Sequence, residues 1–270
     1  SLFYKHDSNI NNLLTDKPQN PKGFYLQDLI KTLFVEPVRK NYTIKSDTIN
    51  EIRNYLLING WESDDNFLEN RDPNDLYKFL SSMLNDLNIE FEIYHIKDGV
   101  IDGEETTFAC RSIDVNLITN EPTTIKKLFI DWLHENILKN NTTYLLDCYK
   151  LKSIPNFIVF NIKRTEDTVR TEVDIKKKIK FFNNSDSKQN YLTWRIHSII
   201  CRTNDRCYSI FLTNDGRWIM FDEDRFPCCE YILMNDDDIN IHTGNYFKFD
   251  KTGKNYYFVI LIQIKNFVNQ

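Results

Sequence analysis

The stretch WRIHSIICRTNDRCYSIFLTNDGRWIMFDED, from Trp194 to Asp224, decides how the chain is read. In its first part Trp194, Ile196, Ser198 and Ile200 fall on one face, and Arg195, His197, Ile199 and Cys201 on the other. That period of two suits a half-buried strand. Thr203, Asn204 and Asp205 then turn the chain into a second β-rich run, Cys207 to Leu212. The Asn214-Asp215-Gly216 turn leads into RWIMFD with hairpin chemistry, since Asn, Asp and Gly all tolerate positive φ. Two turns in so few residues predict an antiparallel meander, ending in the carboxylates Asp222, Glu223 and Asp224.

Working outward, Val173 to Phe182 is strand-like and enters the meander through the loop FNNSDSKQN. TTYLLDCYKL and Phe157 to Ile162 read as strands joined through Pro155, and Tyr256 to Ile264 as one more strong strand. Thr123 or Thr124 caps a helix carrying Ile125, Leu128, Phe129, Trp132, Leu133 and Ile137 at helical spacing. Before it, Phe91 to Ile96 is a strand, KDGVIDGEE a turn-rich loop and FACRSIDVNLI another strand. Three helices come first. FYLQDLIKTLF should be a buried helix ended by Pro37, and INEIRNYLLING a second helix closed by Gly60. The third starts at Asp72-Pro73-Asn74-Asp75 and carries Leu76, Phe79, Leu80, Met83, Leu84 and Leu87. Residues 1–22 read as an arm, with Pro18 and Pro21 discouraging regular structure. Helices first, then strands with one interposed helix, make an α+β arrangement.

Bulk properties narrow the function. A chain of 270 residues with 41% hydrophobic and 27% charged residues buries a substantial core, and no apolar run approaches the roughly 20 residues of a membrane span. The opening SLFYKHDSN lacks the pattern of a signal peptide. A net charge of −5 argues against nucleic-acid binding, and Lys176, Lys177, Lys178 and Lys180 read as a solvated run. Six scattered cysteines, Cys110, Cys148, Cys201, Cys207, Cys228 and Cys229, favour reduced thiols in an intracellular setting, cytoplasm or nucleus. Consecutive acids such as Asp236-Asp237-Asp238 point apart on loops, so no metal is expected there.

Four blocks in this order resemble the ubiquitin-specific protease family of cysteine peptidases. PKGFYLQDLIKTLF, followed by EPVRKNY, looks like its cysteine box; NDLYKFLSSML resembles the block that begins Gln-Asp-Ala; IPNFIVFNIKRT resembles the Leu-Pro strand ending Leu-Lys-Arg-Phe. The opening stretch resembles the histidine box, with Arg206-Cys207-Tyr208 in the Gly-His-Tyr place and Trp218, Phe221 and Asp222 matching downstream. The resemblance implies a papain-like α+β fold over residues 23–270 as one domain. A helical thumb would cover about 23–90, reduced fingers about 91–151 and an antiparallel palm about 152–270.

It also implies a site without chemistry. Such a peptidase needs a thiolate, an imidazole and an orienting carboxylate or amide. The nucleophile position holds Phe24 and the general-base position Cys207, while Asp222 alone is retained; the oxyanion position falls near Gln19 or Asn20. His197 should be a partly exposed strand residue pointing away from Ser198, not a replacement base. The zinc that the family often holds through paired Cys-x-x-Cys motifs has no ligands here: Cys148 is flanked at that spacing by Leu145 and Leu151, and Cys110 by Thr107 and Ile113. The expectation is therefore a pseudoenzyme without cofactor or metal, acting as a scaffold for protein partners. A noncatalytic receptor for ubiquitin or a ubiquitin-like protein ranks second, and an active deubiquitinating peptidase with unconventional residues last.

Overall fold

The computed structural model describes residues 14–18, 20–40, 44–61, 73–84, 88–101, 106–138, 146–153, 155, 157–165, 167–168, 171, 173–174, 178–183, 190–202, 207–212, 217–222, 229–232 and 256–263. The chain divides into two compact units, Ser1–Leu87 and Asn88–Gln270.

The first unit is helical. Its helix α1 (Pro21–Leu29) passes into a π segment (Ile30–Val35) and then a short turn, α2 (Glu36–Arg39). Pro21 starts the helix where the sequence suggested irregular chain. A proline at the first helical position has the φ a helix needs and owes no N–H. Pro37 likewise does not end it. The π segment widens the helix, with Glu36 N–H donating to Lys31 O, and Pro37 enters a new first turn where no i−4 bond is owed. Helix α3 (Ser46–Ile58) closes as expected at Gly60, whose φ is 97°. Gly60 N–H donates to Leu57 O at 3.0 Å and Trp61 N–H to Leu56 O at 2.9 Å, a Schellman motif. Helix α4 (Pro73–Met83) buries Asn74, Tyr77 and Ser81 and leaves Leu76 exposed, contrary to the expected face. Leu14, Leu26, Ile30, Val35, Leu56, Met83 and Leu84 form this unit's core.

The second unit is mostly sheet. Strand β1 (Ile89–Lys97) turns through Asp98 and Gly99, at φ of 54° and 79°, into β2 (Val100–Ile101). This is a two-residue hairpin inside the stretch expected to be a loop, because Asp-Gly supplies both positive φ values. FACRSIDVNLI, expected as one strand, forms two: β3 (Thr106–Cys110), antiparallel to β1, and β4 (Ile113–Asn116), in another sheet. The break falls at Arg111 and Ser112, where the Ser112 hydroxyl donates to Asp114 Oδ1 at 3.0 Å.

After β5 (Thr123–Thr124), Thr124 caps α5 (Ile125–Leu133), which continues into a second π segment (His134–Leu138). All six apolar positions expected for this helix are buried. Strand β6 (Leu146–Leu151) joins β1, making a four-stranded sheet with β2 and β3. The remaining strands are β7 (Phe157–Lys163), β8 (Val173–Asp174), β9 (Lys178–Asn183), β10 (Asn190–Arg202), β11 (Cys207–Leu212), β12 (Trp218–Asp222), β13 (Cys229–Ile232) and β14 (Tyr256–Gln263). Val173 to Phe182 is thus two strands, the first paired with β5. The eight-stranded sheet runs β13-β12-β11-β10-β14-β7-β4, with β9 also on β10, and every pair but β4–β7 is antiparallel. The meander β10-β11-β12 is the one the sequence predicted. Among the described residues no helix is long and apolar enough to cross a membrane.

Candidate functional site

At the start of α1, Asn20 Oδ1 accepts from Lys22 N at 3.0 Å, so the capping residue spends its side-chain oxygen on the helix. Tyr55 from α3 fixes this end, its hydroxyl donating to Lys22 O at 2.8 Å and its ring lying 4.8 Å from that of Tyr25. Gly23 sits so closely against the end of α4 that a Cβ there would overlap the main-chain oxygen of Met83. With the backbone docked this way, Phe24 and Tyr25 turn outward, 54% and 51% exposed. The expected burial of this helix therefore holds for Leu26, Leu29 and Ile30 but not for its first aromatics. Gln19 lies outside the described residues.

In the second unit Cys207 begins β11 opposite Arg202, and Asp222 ends β12 opposite Tyr208. The register therefore sets these two positions one residue apart on neighbouring strands. Cys201 stands opposite Tyr208, so Cys201 and Cys207 are not cross-strand partners.

His197 corrects the sequence reading. The ladder with β14 pairs Ile196 with Leu261 and then Ser198 with Ile260, leaving His197 as the extra residue of a β-bulge. The phase of the strand shifts there: Trp194 and Ile196 before it, and Ile199 and Cys201 after it, all enter the core. His197 is fully buried rather than partly exposed, and its Nδ1 lies 3.1 Å from the Ser198 hydroxyl. Adjacent side chains meet only because the bulge breaks the alternation of a regular strand. Both are at 0% exposure, so no substrate reaches the pair.

The sequence reading missed a groove of about 440 Å³ beside β4, within the size range of ligand pockets. Among the described residues β4 is a terminal strand of its sheet. Val115, Leu117, Leu128 and Trp132 make an apolar floor, buried in the core. Among the described residues, Asp114, Glu121, Asp131 and Glu135 set four carboxylates around it against the ammonium of Lys127. Lys127, Asp131 and Glu135 recur every fourth residue, which puts them along one side of a helix and was the signal available in the sequence. The π segment continues this wall, and Asn136 Nδ2 donates to Trp132 O at 3.0 Å. Asp114 Oδ1 accepts from Ser112 Oγ and Asn161 Nδ2, both at 3.0 Å, which fixes its carboxylate.

Among the described residues no group of three or more His, Cys, Asp or Glu side chains is placed to hold a metal ion. Cys110 ends β3 opposite Ile89, and Cys148 stands in β6 opposite Tyr94. Glu223, Asp224 and the run Asp236-Asp237-Asp238 lie outside the described residues.

No family model and no curated protein matches the sequence. Solved structures match in fold. A form of the SAGA Ubp8/Sgf11/Sus1/Sgf73 DUB module with a substituted Ubp8 is similar at TM-score 0.60 and 11% identity, covering 98% of this chain and 65% of that one. The same module bound to ubiquitin aldehyde is similar at TM-score 0.54 and 11% identity, covering 95% and 63%. An essential yeast splicing factor is similar at TM-score 0.54 and 13% identity, covering 98% and 66%. The chain thus spans less than two thirds of each of these proteins. At such identities the likeness is one of fold: a mixed helix and sheet fold of the ubiquitin-specific protease type, as the motifs implied.

Proposed function

We propose that this chain is a noncatalytic, ubiquitin-specific-protease-like module that binds protein partners inside a larger assembly in the cytoplasm or nucleus, with residues 23–270 acting together. The observation that carries the reading is Phe24. The motif alignment gives it the nucleophile position, and a phenyl ring has no atom to attack a carbonyl. Cys207 in the general-base position lacks the near-neutral pKa and paired nitrogens of histidine, and Asp222 has no imidazole to orient. The acidic groove beside β4 supplies a binding surface that asks for no chemistry. Its carboxylates favour a partner segment carrying Lys or Arg, with the aliphatic stems of those residues on the apolar floor. The similar folds belong to components of multi-protein assemblies, which supports a role as a subunit. Nothing in this reading needs a cofactor, a metal, a membrane or direct contact with nucleic acid.

A second reading, a receptor for ubiquitin or a ubiquitin-like protein, is favoured by the same groove and by the similar module that binds ubiquitin aldehyde. Titration with ubiquitin followed by NMR separates the two. No shifts at high micromolar ubiquitin, together with defined partners in a native pull-down, is the result expected; saturable shifts at groove residues promote the receptor reading. An electrophilic ubiquitin probe should leave every cysteine unmodified. An adduct at Cys207 or Cys201 would overturn the noncatalytic assignment.

A further inference from the structure

We propose that Arg164 and Thr171 are positioning residues for the acidic groove, an inference that rests on the groove being a partner-binding surface. Arg164 follows β7 and is only 4% exposed. A guanidinium withdrawn from water must find acceptors, and Nη1 donates to Thr168 O at 3.0 Å and also to Thr171 O. Thr168 closes the same turn, its hydroxyl accepting from Thr165 N at 2.9 Å. Thr171 is buried in turn, and its hydroxyl reaches across to donate to Thr119 O at 3.0 Å.

Leu117 and Thr119 line the groove just beyond the end of β4, where no ladder holds them. Leu117 N–H donates to Lys163 O at 3.0 Å, and the Thr171 hydroxyl holds the carbonyl two residues on. One wall of the groove therefore hangs on Lys163 and Thr171, and Thr171 hangs on Arg164. A wall fixed in advance does not have to be ordered when a partner binds, which lowers the cost of binding. Both bonds leave the one nitrogen Nη1, which stands one bond farther from the main chain than a lysine Nζ, so lysine does not reach the same pair of carbonyls without a shift of the turn.

The test uses the full chain with Thr171→Val, Thr171→Ser and Arg164→Lys, read by amide hydrogen exchange and by affinity for a short fluorescein-labelled Lys/Arg peptide. Thr171→Val should speed exchange at Leu117 to Thr119 and weaken peptide binding about three- to tenfold, the range for one lost hydrogen bond. Thr171→Ser, which keeps the hydroxyl, should restore both, and Arg164→Lys should weaken binding like Thr171→Val. If Arg164→Lys does not fold, the Thr171 pair decides. Unchanged exchange in Thr171→Val, or equal behaviour of the Val and Ser variants, overturns the proposal whatever the peptide does. Faster exchange in Thr171→Val without any peptide binding to the wild type sinks the groove as a partner surface and leaves the clamp standing.

Discussion

The helices α1 and α5 are built alike and used differently. Each runs nine residues from a side-chain cap, Asn20 or Thr124 accepting a backbone N–H at 3.0 Å, and each passes directly into a π segment. In α5 Ile125, Leu128, Phe129, Trp132 and Leu133 go inward while Ile130 stays 40% exposed, and Lys127 and Asp131 supply part of the charged wall of the groove. In α1 the backbone at Gly23 packs against the end of α4 while Leu26, Leu29 and Ile30 go inward, and the aromatics beside Gly23 face out. A helix that docks through side chains spends them on stability. Where a glycine brings the backbone in, the neighbouring side chains stay available, and the motif alignment gives one of them, Phe24, the nucleophile position.

Trp132 puts this contrast under the greatest load. It stacks with Phe129 at 6.4 Å and meets Phe91 and Phe108 at 6.0 and 5.8 Å, tying α5 to the four-stranded sheet. Trp132→Ala should cost about 3–5 kcal/mol in urea unfolding. A loss below about 1 kcal/mol would mean that this helix is not held by its side chains. Gly23→Ala comes next. Its methyl group would meet a main-chain oxygen of α4 that cannot swing aside, so a loss of about 1–3 kcal/mol or more is expected. A neutral result would show that α1 does not dock through its backbone.

The same contrast explains what the sequence made legible. The helix Ile125–Leu133 was readable to its cap because period, cap and burial agree in one segment. So was the Gly60 closure, a local need for positive φ. What failed depended on partners far away in sequence. Nothing local in WRIHSIICR marks His197 as a bulge: the extra residue is defined against β14, about sixty residues downstream, and it occurs near where the pairing of β10 changes from β9 to β11. FACRSIDVNLI reads as one strand because its two halves share a β pattern, although they belong to different sheets. Asp98-Gly99 carries a hairpin signal, but the strand after it has only two residues, too few to show an alternating pattern. The groove needed the edge position of β4 as well as the spacing on α5, and only the spacing is written in the chain.

Smaller effects refine the pair. Thr124→Ala and Asn20→Ala should each cost ~1 kcal/mol by thermal melting, since both helices start from one side-chain oxygen. Tyr149, packed on Phe91 and Phe129 at 6.3 and 6.5 Å, has its phenol pushed above the ordinary 10.0 by burial. Below that pH both folded and unfolded chains hold the proton. Above it the unfolded chain releases the proton first, so stability should fall as pH rises beyond 10.0. Tyr149→Phe keeps the ring and should flatten that part of the alkaline unfolding profile relative to the wild type.

Phe24 should give the smallest effect on stability, and that smallness is its significance. An exposed ring in a helix held by Gly23, Leu26 and Ile30 contributes little to folding, so Phe24→Ser should shift stability by no more than about 0.5 kcal/mol. A larger loss would make Phe24 a packing residue and erase the distinction between the two helices. Function is the other half of the test. Phe24→Cys alone would supply a thiol with no imidazole, whereas Phe24→Cys with Cys207→His would give the chain, with Asp222, the three residue types that the motif alignment assigns to a peptidase. The double variant should react with an electrophilic ubiquitin probe at least about tenfold faster than the single one, the scale on which a positioned base acts. Equal rates would mean that these three positions do not act as the set that the motif alignment assigns.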